Sequence, residues 1–243
     1  MKIEQNNRVA LVLGGTTPVG TAICRQLAES GARVVTDYQQ TDIGSWQAEF
    51  KRDGITVTAI KADITDFDAC IRMIETIEET TGPIDIIINS PALQSEDKPF
   101  NQMDKSDWDR ALSGHIDTMF NICRNLAEKM SNRGFGRIIN ISSIIGRMGL
   151  SGHTHMATAK AGQHGFTMAL AQELARKGVT VNTISPGYIA TAASADLPVP
   201  ANIPAGRAGQ AREIASLVDY LCSEHAGYIN GADIAINGGQ YMH

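Results

Sequence analysis

The stretch GRIINISSIIGRMGLSGHTHMATAKAGQHG, residues 136–165, decides the fold of this chain and frames its chemistry. An apolar run at residues 138–141 ends in two serines and a loop, and a helical pattern then places Lys160 one turn after Met156. A strand, a serine, a loop and a helix that presents a lysine form a frame for proton transfer at the edge of a parallel sheet. The residue that should carry the proton is absent.

The same alternation of apolar runs and helical patterns extends over the rest of the chain. Runs that predict strands occupy residues 8–13, 32–37, 55–63, 84–90, 136–142, 177–185 and 232–237. The helical patterns between them include a long one over residues 106–130 and another over 211–223. Wholly apolar strands are typical of parallel sheets that are covered on both faces. We therefore predict an α/β fold in one domain, residues 1–243: a single Rossmann-like, doubly wound parallel sheet of seven strands with helices on both faces.

Ligands of such folds bind beyond the carboxyl ends of the strands, where the strand order reverses. Glycine and small polar residues follow four of the predicted strands, at residues 14–20, 89–92, 142–143 and 185–187. These segments are the candidate site.

The composition disfavours several kinds of partner. Of the 243 residues, 43% are hydrophobic and 19% charged, and the net charge of −5 argues against nucleic acid or an anionic membrane. No apolar run approaches the roughly 20 residues that a membrane span needs, and the first residues lack a targeting segment, so we expect a cytoplasmic protein. The four cysteines are far apart, so we expect buried thiols in a reducing compartment, with no metal site and no disulfides.

Four segments resemble the short-chain dehydrogenase/reductase family, and in particular its acetoacetyl-CoA and 3-oxoacyl reductases. They are GRIINISS, MATAKAG, the run HGFTMALAQELARKGVTVNTISPGYIAT at residues 164–191, and the terminal NGG. The resemblance covers essentially the whole chain. It implies a Rossmann-like domain, usually tetrameric, that moves a hydride between NAD or NADP and a carbonyl or alcohol, here with an acyl-CoA-type substrate.

The resemblance also implies residue roles. In the family a strand-end serine polarises the substrate oxygen, a tyrosine thirteen residues later is the acid or base, and a lysine four residues beyond supports the tyrosine and holds the nicotinamide ribose. Ser143 and Lys160 match the serine and the lysine, whereas the tyrosine position is Met156, a thioether with no proton to give. Loss of a positioned acid or base is worth roughly 10²–10⁴-fold in rate. The family's fourth residue, an asparagine that organises a relay water, falls at His115.

Two interpretations stay open for these polar residues. Lys160 is either a functional remnant or a relic on a helix surface. His115 has an unperturbed pKa near neutrality and could replace the missing acid. The alternative, which we expect for both His115 and His155, is an ordinary solvated or hydrogen-bonded histidine.

The cofactor positions are altered as well. The family pattern T-G-x-x-x-G-x-G reads Leu13, Gly14, Pro18 and Gly20 here, and Pro18 has no N–H where a diphosphate approaches the helix N-terminus. The family's N-N-A-G begins with Asn89 and continues as Ser-Pro-Ala, which is bulkier where adenosine rests.

Other candidate cofactor ligands match the family in part. Asp37 ends the second strand, where a carboxylate would bind a ribose hydroxyl and favour NAD, but it lies one position early, and we expect a solvated aspartate. Asp63 matches an adenine-contacting aspartate, and Pro186 and Gly187 match the nicotinamide-side loop. The family's substrate lid, at residues 191–208, is short and proline-rich. We expect binding of NAD or NADP to be weakened or lost.

These changes fall on the acid, the cofactor segments and the lid, while the core pattern is intact. The leading hypothesis is a catalytically silent subunit of a hetero-oligomeric NAD(P)-dependent hydroxyacyl-CoA dehydrogenase. It would form a tetramer with an active short-chain dehydrogenase paralogue, through the helices near residues 107–130 and 154–177. The pattern resembles the non-catalytic subunit of such an enzyme in anaerobic toluene degradation. The alternatives are an active 3-oxoacyl-CoA reductase that uses His115 and a ligand-sensing or structural homo-oligomer.

Overall fold

A computed structural model describes residues 3–91, 97–191 and 198–242. Its strands form one fully parallel, seven-stranded sheet in the order β3-β2-β1-β4-β5-β6-β7. The strands are β1 (Val9–Leu13), β2 (Arg33–Tyr38), β3 (Val57–Lys61), β4 (Ile84–Asn89), β5 (Gly136–Ile141), β6 (Val179–Pro186) and β7 (Asp233–Ile236). The predicted α/β class, with one Rossmann-like, doubly wound sheet, is confirmed.

The helices begin at local signals that the sequence carries. Their bounds are α1 (Pro18–Glu29), α2 (Ile43–Arg52), α3 (Phe67–Thr80), α4 (Lys105–Leu112), α5 (Thr118–Arg133), α6 (Ile145–Met148), α7 (Thr154–Leu174) and α8 (Ala211–Cys222). The side chains of Thr17, Asp42 and Asp66 accept backbone N–H groups at the starts of α1, α2 and α3. Gly134 adopts a left-handed conformation with φ of 71° and ends α5. No helix in the described part of the chain is long and apolar enough to cross a membrane.

Two apolar layers cover the sheet, one on each face. One layer joins α3, α5 and α7 to alternate strand residues such as Leu11, and the other joins α1, α2 and α8 to their neighbours, such as Val12. This division follows from the two-residue period of a strand, which sends consecutive side chains to opposite faces. All four cysteines are buried thiols, as expected.

The strand order reverses between β1 and β4, which are neighbours in the centre of the sheet. Leu13 pairs with Asn89 at the carboxyl ends of the two strands. The chain turns sharply at Gly14, whose φ is 71°, and a Cβ at this position would collide with the carbonyl oxygen of Ser90. Only glycine allows this close approach, so at the switch point the backbone of the Gly14 turn packs directly against the backbone that follows β4.

The long helix that the pattern predicts over residues 106–130 is confirmed, and the helical run extends over residues 105–133 with one irregular turn inside it. Between α4 and α5, Ser113–Asp117 form a π-helical turn. Gly114 within it has low helix propensity, and the hydroxyl of Thr118 donates to the Gly114 carbonyl at 3.0 Å. Turns of this type occur frequently at functional sites, and this one carries His115.

The close approach at Gly14 predicts a specific loss of stability. Gly14→Ala and Gly54→Ala both place alanine at a left-handed φ, 71° and 73°, so each costs about 1–2 kcal/mol of backbone strain. At Gly54 no atom lies within 4 Å of the added methyl group. At Gly14 the collision with Ser90 adds an overpacking cost of about 1–3 kcal/mol. Urea unfolding should therefore show the larger loss for Gly14→Ala; equal losses would contradict the packing of this turn on β4.

Candidate active site

The structure brings Ser143 and Lys160 together at the carboxyl end of β5. Ser143 is half-buried, and its hydroxyl accepts the N–H of Ile145 at 3.2 Å as α6 begins. Lys160, on α7, is 7% exposed, and its Nζ donates to the carbonyl of Ile141 at 3.0 Å. Met156 lies one turn earlier on α7 and is half-buried. Ser143 and the Lys160 ammonium therefore both lie at the carboxyl end of β5, and the thioether one turn before Lys160 has no proton to donate.

Lys160 does not lie on a helix surface, because only 7% of the residue is exposed. Its ammonium lies between α7 and the sheet, where burial lowers its pKa to about 8. The Ile141 carbonyl is the hydrogen-bond acceptor that holds it there. The Lys160 ammonium is therefore hydrogen-bonded to the protein's own backbone.

His115 is buried, whereas we expected a solvated or hydrogen-bonded side chain. Only 2% of the residue is exposed, and neither ring nitrogen has a hydrogen-bond partner among the described residues. Burial, followed by the positive charge of Lys160, lowers its pKa to about 2. The π-helical turn packs against α7, and there the His115 carbonyl accepts from Gln163 at 3.2 Å. The imidazole is therefore neutral near pH 7.

His155 also departs from expectation. It is 2% exposed, and within the described ranges its Nδ1 has no hydrogen-bond partner. Burial is the largest cause of its lowered pKa. Sequence reasoning missed this burial because the first turn of α7 is covered by neighbours that come from other parts of the chain.

A polar cluster beneath α7 was not anticipated from the sequence. Asp233 of β7 accepts from Ser185 at 2.6 Å and from Arg147 at 2.7 Å, and it lies 3.0 Å from Nδ1 of His164. The geometry of the His164 contact does not meet that of a hydrogen bond. Burial raises the pKa of Asp233, but the contacts with His164, Ser185 and Arg147 lower it to about 2. One feature of the sequence indicates that His164 belongs to this cluster: it follows Lys160 by four residues and so lies on the same face of α7.

The order Ser142, His164, Asp233 resembles a hydrolytic triad, but the geometry is structural. The Ser142 hydroxyl donates to the Lys160 carbonyl at 3.1 Å and lies 3.4 Å from Nε2 of His164. The backbone of α6 at Gly146 packs directly on the α7 backbone, where an added Cβ would lie 2.8 Å from the Ala161 nitrogen. This packing covers Ser142, which is 5% exposed, so the cluster joins β5, β7, α6 and α7 and offers no nucleophile.

Asn89 is also bound within the protein. Its side-chain amide donates to Asn140 at 2.6 Å, and Asn140 donates to Thr167 at 2.8 Å. Thr167 in turn bonds the hydroxyl of Thr183 at 2.8 Å. This buried chain of hydrogen bonds ties β4, β5 and β6 to α7. Ala92, the last residue of the altered N-N-A-G motif, lies outside the described residues.

The glycine turn after β1 has several of its amide groups occupied. The N–H groups of Gly14, Gly15 and Gly20 donate to the side chains of Asp37, Thr36 and Thr17 at 2.8, 3.0 and 3.0 Å. Pro18 is the first residue of α1 and is exposed at the helix N-terminus without an N–H. A diphosphate at such a turn needs free amide donors. The N–H groups of Gly14, Gly15 and Gly20 could bind a diphosphate only if these three hydrogen bonds were broken.

Asp37 is buried, so the expected solvated aspartate was wrong. It is 7% exposed, and burial raises its pKa to about 6 against the lowering effect of the Gly14 hydrogen bond. Asp63 behaves differently, because it stays at the surface and accepts from Thr65 and Gln39. The Thr65 contacts lower the pKa of Asp63.

A cleft of about 200 Å³ lies beside these residues. Its walls include Asp37 and Tyr38 at the end of β2, Thr16 and Thr17 before α1, and Pro91 after β4. This volume falls below the roughly 300–1,000 Å³ of ordinary small-molecule sites. Within the described ranges no group of histidine, cysteine, aspartate and glutamate side chains is arranged to hold a metal ion.

The nicotinamide-side loop is bound to the C-terminal segment. The Pro186 carbonyl accepts from Ile144 at 3.0 Å, the Gly187 N–H donates to Ile236 at 3.0 Å, and the Tyr188 N–H donates to the Gln240 side chain at 3.2 Å. Residues 192–197 of the expected lid lie outside the described residues. In the described part, residues 201–202 and 204–205 form turns, and the Ala205 N–H donates to the Gly238 carbonyl at 2.9 Å. The described part of the lid is therefore packed on the chain's own C-terminal segment.

A fully parallel, doubly wound sheet with a glycine turn at its switch point defines the class of Rossmann-type proteins. Within that class the chain belongs to the short-chain dehydrogenase/reductase family. A family model described as Enoyl-(Acyl carrier protein) reductase matches residues 15–241.

Named relatives agree with this assignment over nearly their whole length. The acetoacetyl-CoA reductase of Allochromatium vinosum is 41% identical, with 97% of this chain and 99% of the relative covered. That of Cupriavidus necator is 41% identical, with 97% and 98% covered. The 3-oxoacyl-[acyl-carrier-protein] reductase FabG of Vibrio harveyi is 35% identical, with 97% and 98% covered. The crystal structure of gox2181 superposes with a TM-score of 0.92 at 26% identity and covers 98% of this chain and 97% of its own.

The buried charge of Asp37 predicts a pH-dependent effect on stability. Folding raises its pKa from 3.8 to about 6, so its contribution to stability is fully present below about pH 3.8 and is lost as pH rises through 6. Asp37→Asn keeps an acceptor for Gly14 and removes the charge. Thermal unfolding should therefore show a gain of about 2–3 kcal/mol at pH 7.5 that disappears near pH 4.

Asp63→Asn is the matched control for this stability measurement. The pKa of Asp63 is lowered by its contacts, so removal of that charge should give no gain at pH 7.5. A gain for Asp37→Asn that is equal at both pH values would contradict the burial of a charged carboxylate.

Proposed function

We propose that this chain is the non-catalytic subunit of a hetero-oligomeric, NAD(P)-dependent hydroxyacyl-CoA dehydrogenase. An active short-chain dehydrogenase in the same tetramer would carry out the hydride transfer. The observation that carries the proposal is Met156, a thioether at the position where the family's proton donor stands. Ser143 and Lys160 keep their places at the end of β5, so the frame of the site remains while its acid is missing.

The cofactor side supports the same proposal. Binding of NAD or NADP needs backbone amides near the diphosphate, and the amides of Gly14, Gly15 and Gly20 donate to the chain's own side chains. Pro18 offers no replacement donor. A subunit in this state would bind a dinucleotide weakly or not at all.

The outer face of α5 and α7 supports assembly with a partner. Phe120 is 49% exposed and Met168 is 53% exposed, and Phe67 stacks on Phe120 with ring centroids 6.4 Å apart. A groove of about 370 Å³ between the helices has Phe166 and Leu170 among its lining residues. An apolar surface of this kind is typical of a protein–protein contact. The resemblance implies that the family's main dimer contact uses these helices, and an intact paralogue would present a complementary pair.

The substrate class of the complex follows from the relatives. Several of them are named acetoacetyl-CoA reductases, so an acyl-CoA-type substrate is proposed for the assembly. The active partner would bind it, because the described part of this chain's lid packs on its own C-terminal segment.

An active reductase is the second candidate, favoured by the retained Ser143 and Lys160 and by relatives named as reductases. In that case His115 would replace the tyrosine. A pKa of about 2 leaves its imidazole neutral and poorly suited to donate a proton near pH 7. Purified protein should oxidise NADPH or NADH with acetoacetyl-CoA if this candidate holds, and His115→Ala should abolish the reaction.

Assembly with a paralogue is the direct test of the first candidate. Co-expression with a short-chain dehydrogenase that has an intact S…Y-x-x-x-K motif should give a mixed tetramer in native mass spectrometry, with turnover due to the partner. Phe120→Asp should dissociate the mixed tetramer, because it places a charge in the apolar contact. Tyr228→Asp is the control, since Tyr228 is fully exposed and belongs to neither α5 nor α7. A stable homotetramer that never takes up a paralogue would overturn the proposal.

Restoring the tyrosine alone should not restore activity. Met156→Tyr supplies the proton donor but leaves the occupied amides and Pro18 unchanged, so the isolated variant should show no NAD(P)H oxidation above background with acetoacetyl-CoA. A steady-state spectrophotometric assay at pH 7.5 measures this. Turnover within about 10²-fold of an intact relative would show that the cofactor side is functional.

A further inference from the structure

Asp37 occupies an unusual position for a carboxylate. It is 7% exposed, it forms part of the wall of the 200 Å³ cleft, and its Oδ1 accepts the Gly14 N–H at 2.8 Å. Thr16, Thr17 and Pro91 line the same cleft. A negative charge is thereby fixed beside the turn where the diphosphate of a dinucleotide would approach.

We propose that the Asp37 carboxylate acts as a built-in anion gate that keeps dinucleotides out of the cleft. The inference rests on the proposed function, since it gives a physical reason for weak cofactor binding. Like charges a few ångströms apart repel each other strongly where the surroundings are poor in water. A dinucleotide carries two phosphate charges, so its binding beside a buried carboxylate is opposed.

The hydrogen bond from Gly14 to Asp37 opposes dinucleotide binding in a second way, because it occupies an amide of the turn and fixes the turn's conformation. It fixes the turn whose Cα lies against the Ser90 carbonyl, and the neighbouring Gly15 N–H is fixed in the same way by Thr36. Both donors point back into the protein. Loss of the Asp37 acceptor therefore frees one amide of the turn and removes the opposing charge in a single step.

The charge of Asp37 depends on pH within an accessible range. Its pKa is raised to about 6 by burial, so the carboxyl group becomes neutral in mildly acidic solution. Cys24 of α1 faces it as a thiol whose pKa is raised by burial, and burial raises that of Cys70 on α3 to about 12, so both remain neutral. Asp63 and Asp66 lie on the same side after β3. The lowered pKa of Asp63 keeps it charged across the range.

Apart from Tyr38, the described residues that line the rest of the cleft add no titratable group beside Asp37. Gly114 and Thr118 belong to the π-helical turn and to α5, and Pro91 follows β4. Tyr38 follows Asp37 in β2 and also lines the cleft. A change of binding between pH 5 and 8 that disappears on substitution of Asp37 would therefore report Asp37 itself.

Titration calorimetry with ADP-ribose, which carries the adenosine and both phosphates, tests the gate on the full-length chain. For the wild type, affinity should rise at least about tenfold from pH 8 to pH 5. Asp37→Asn, which keeps an acceptor but no charge, should bind about tenfold more tightly than the wild type at pH 8 and show no pH dependence. Asp37→Ala should bind at least as tightly, because it also releases the Gly14 amide.

Asp219→Asn is the matched control for a buried carboxylate outside the cleft. Asp219 is 2% exposed and accepts from Gln5 and Ser30, far along the chain from Asp37. This variant should retain both the affinity and the pH dependence of the wild type. Circular dichroism confirms that each variant is folded before titration.

The outcomes separate this inference from the proposed function. Equally weak binding by the wild type and by folded Asp37→Asn at both pH values overturns the gate and leaves the silent-subunit proposal standing. Micromolar binding by the wild type at pH 8 overturns the gate and also removes the cofactor argument from that proposal. Failure to form a mixed tetramer, with the pH and Asp37 effects intact, overturns the subunit role alone.

Discussion

Polar groups buried at the carboxyl edge of the sheet need hydrogen-bond partners, and this chain supplies most of them from its own residues. Lys160 donates to the Ile141 carbonyl, and the amide groups of Gly14 and Gly20 donate to neighbouring side chains. In a Rossmann-type enzyme this edge is where a cofactor and a substrate take part in the hydrogen bonding. The same scaffold is therefore compatible with a protein that folds and assembles without a ligand.

His115 is the main exception, because its imidazole is buried without a hydrogen-bond partner among the described residues. Burial, together with the nearby charge of Lys160, lowers the pKa of the His115 imidazole and keeps it neutral. Asp37 differs from His115 because its buried carboxylate does have a hydrogen-bond partner. The Gly14 N–H donates to it and opposes the rise in pKa that burial causes. Of the two, Asp37 lines the cleft at the edge where strand order reverses, and in the proposed gate its charge state decides what the cleft accepts.

The sheet could be predicted from the sequence because each strand is a local apolar run, and β4 and β5 need no distant information to be recognised. The long helix over residues 106–130 could also be predicted, but the π-helical turn inside it could not, because that turn depends on a competing hydroxyl and a glycine. The burial of Asp37 could not be predicted, since it depends on the turn 23 residues earlier that donates to it. Likewise, the partners His164 and Asp233 are far apart in the chain, and only the sheet order brings them together.

The central claim is that the chain keeps the fold of an oxidoreductase while its own groups occupy the cofactor side. Titration calorimetry of the purified chain with NADH and with NADPH at pH 7.5 tests it most directly. The account predicts no binding tighter than about 1 mM for either dinucleotide, which corresponds to about −4 kcal/mol. A micromolar dissociation constant for either one would contradict it.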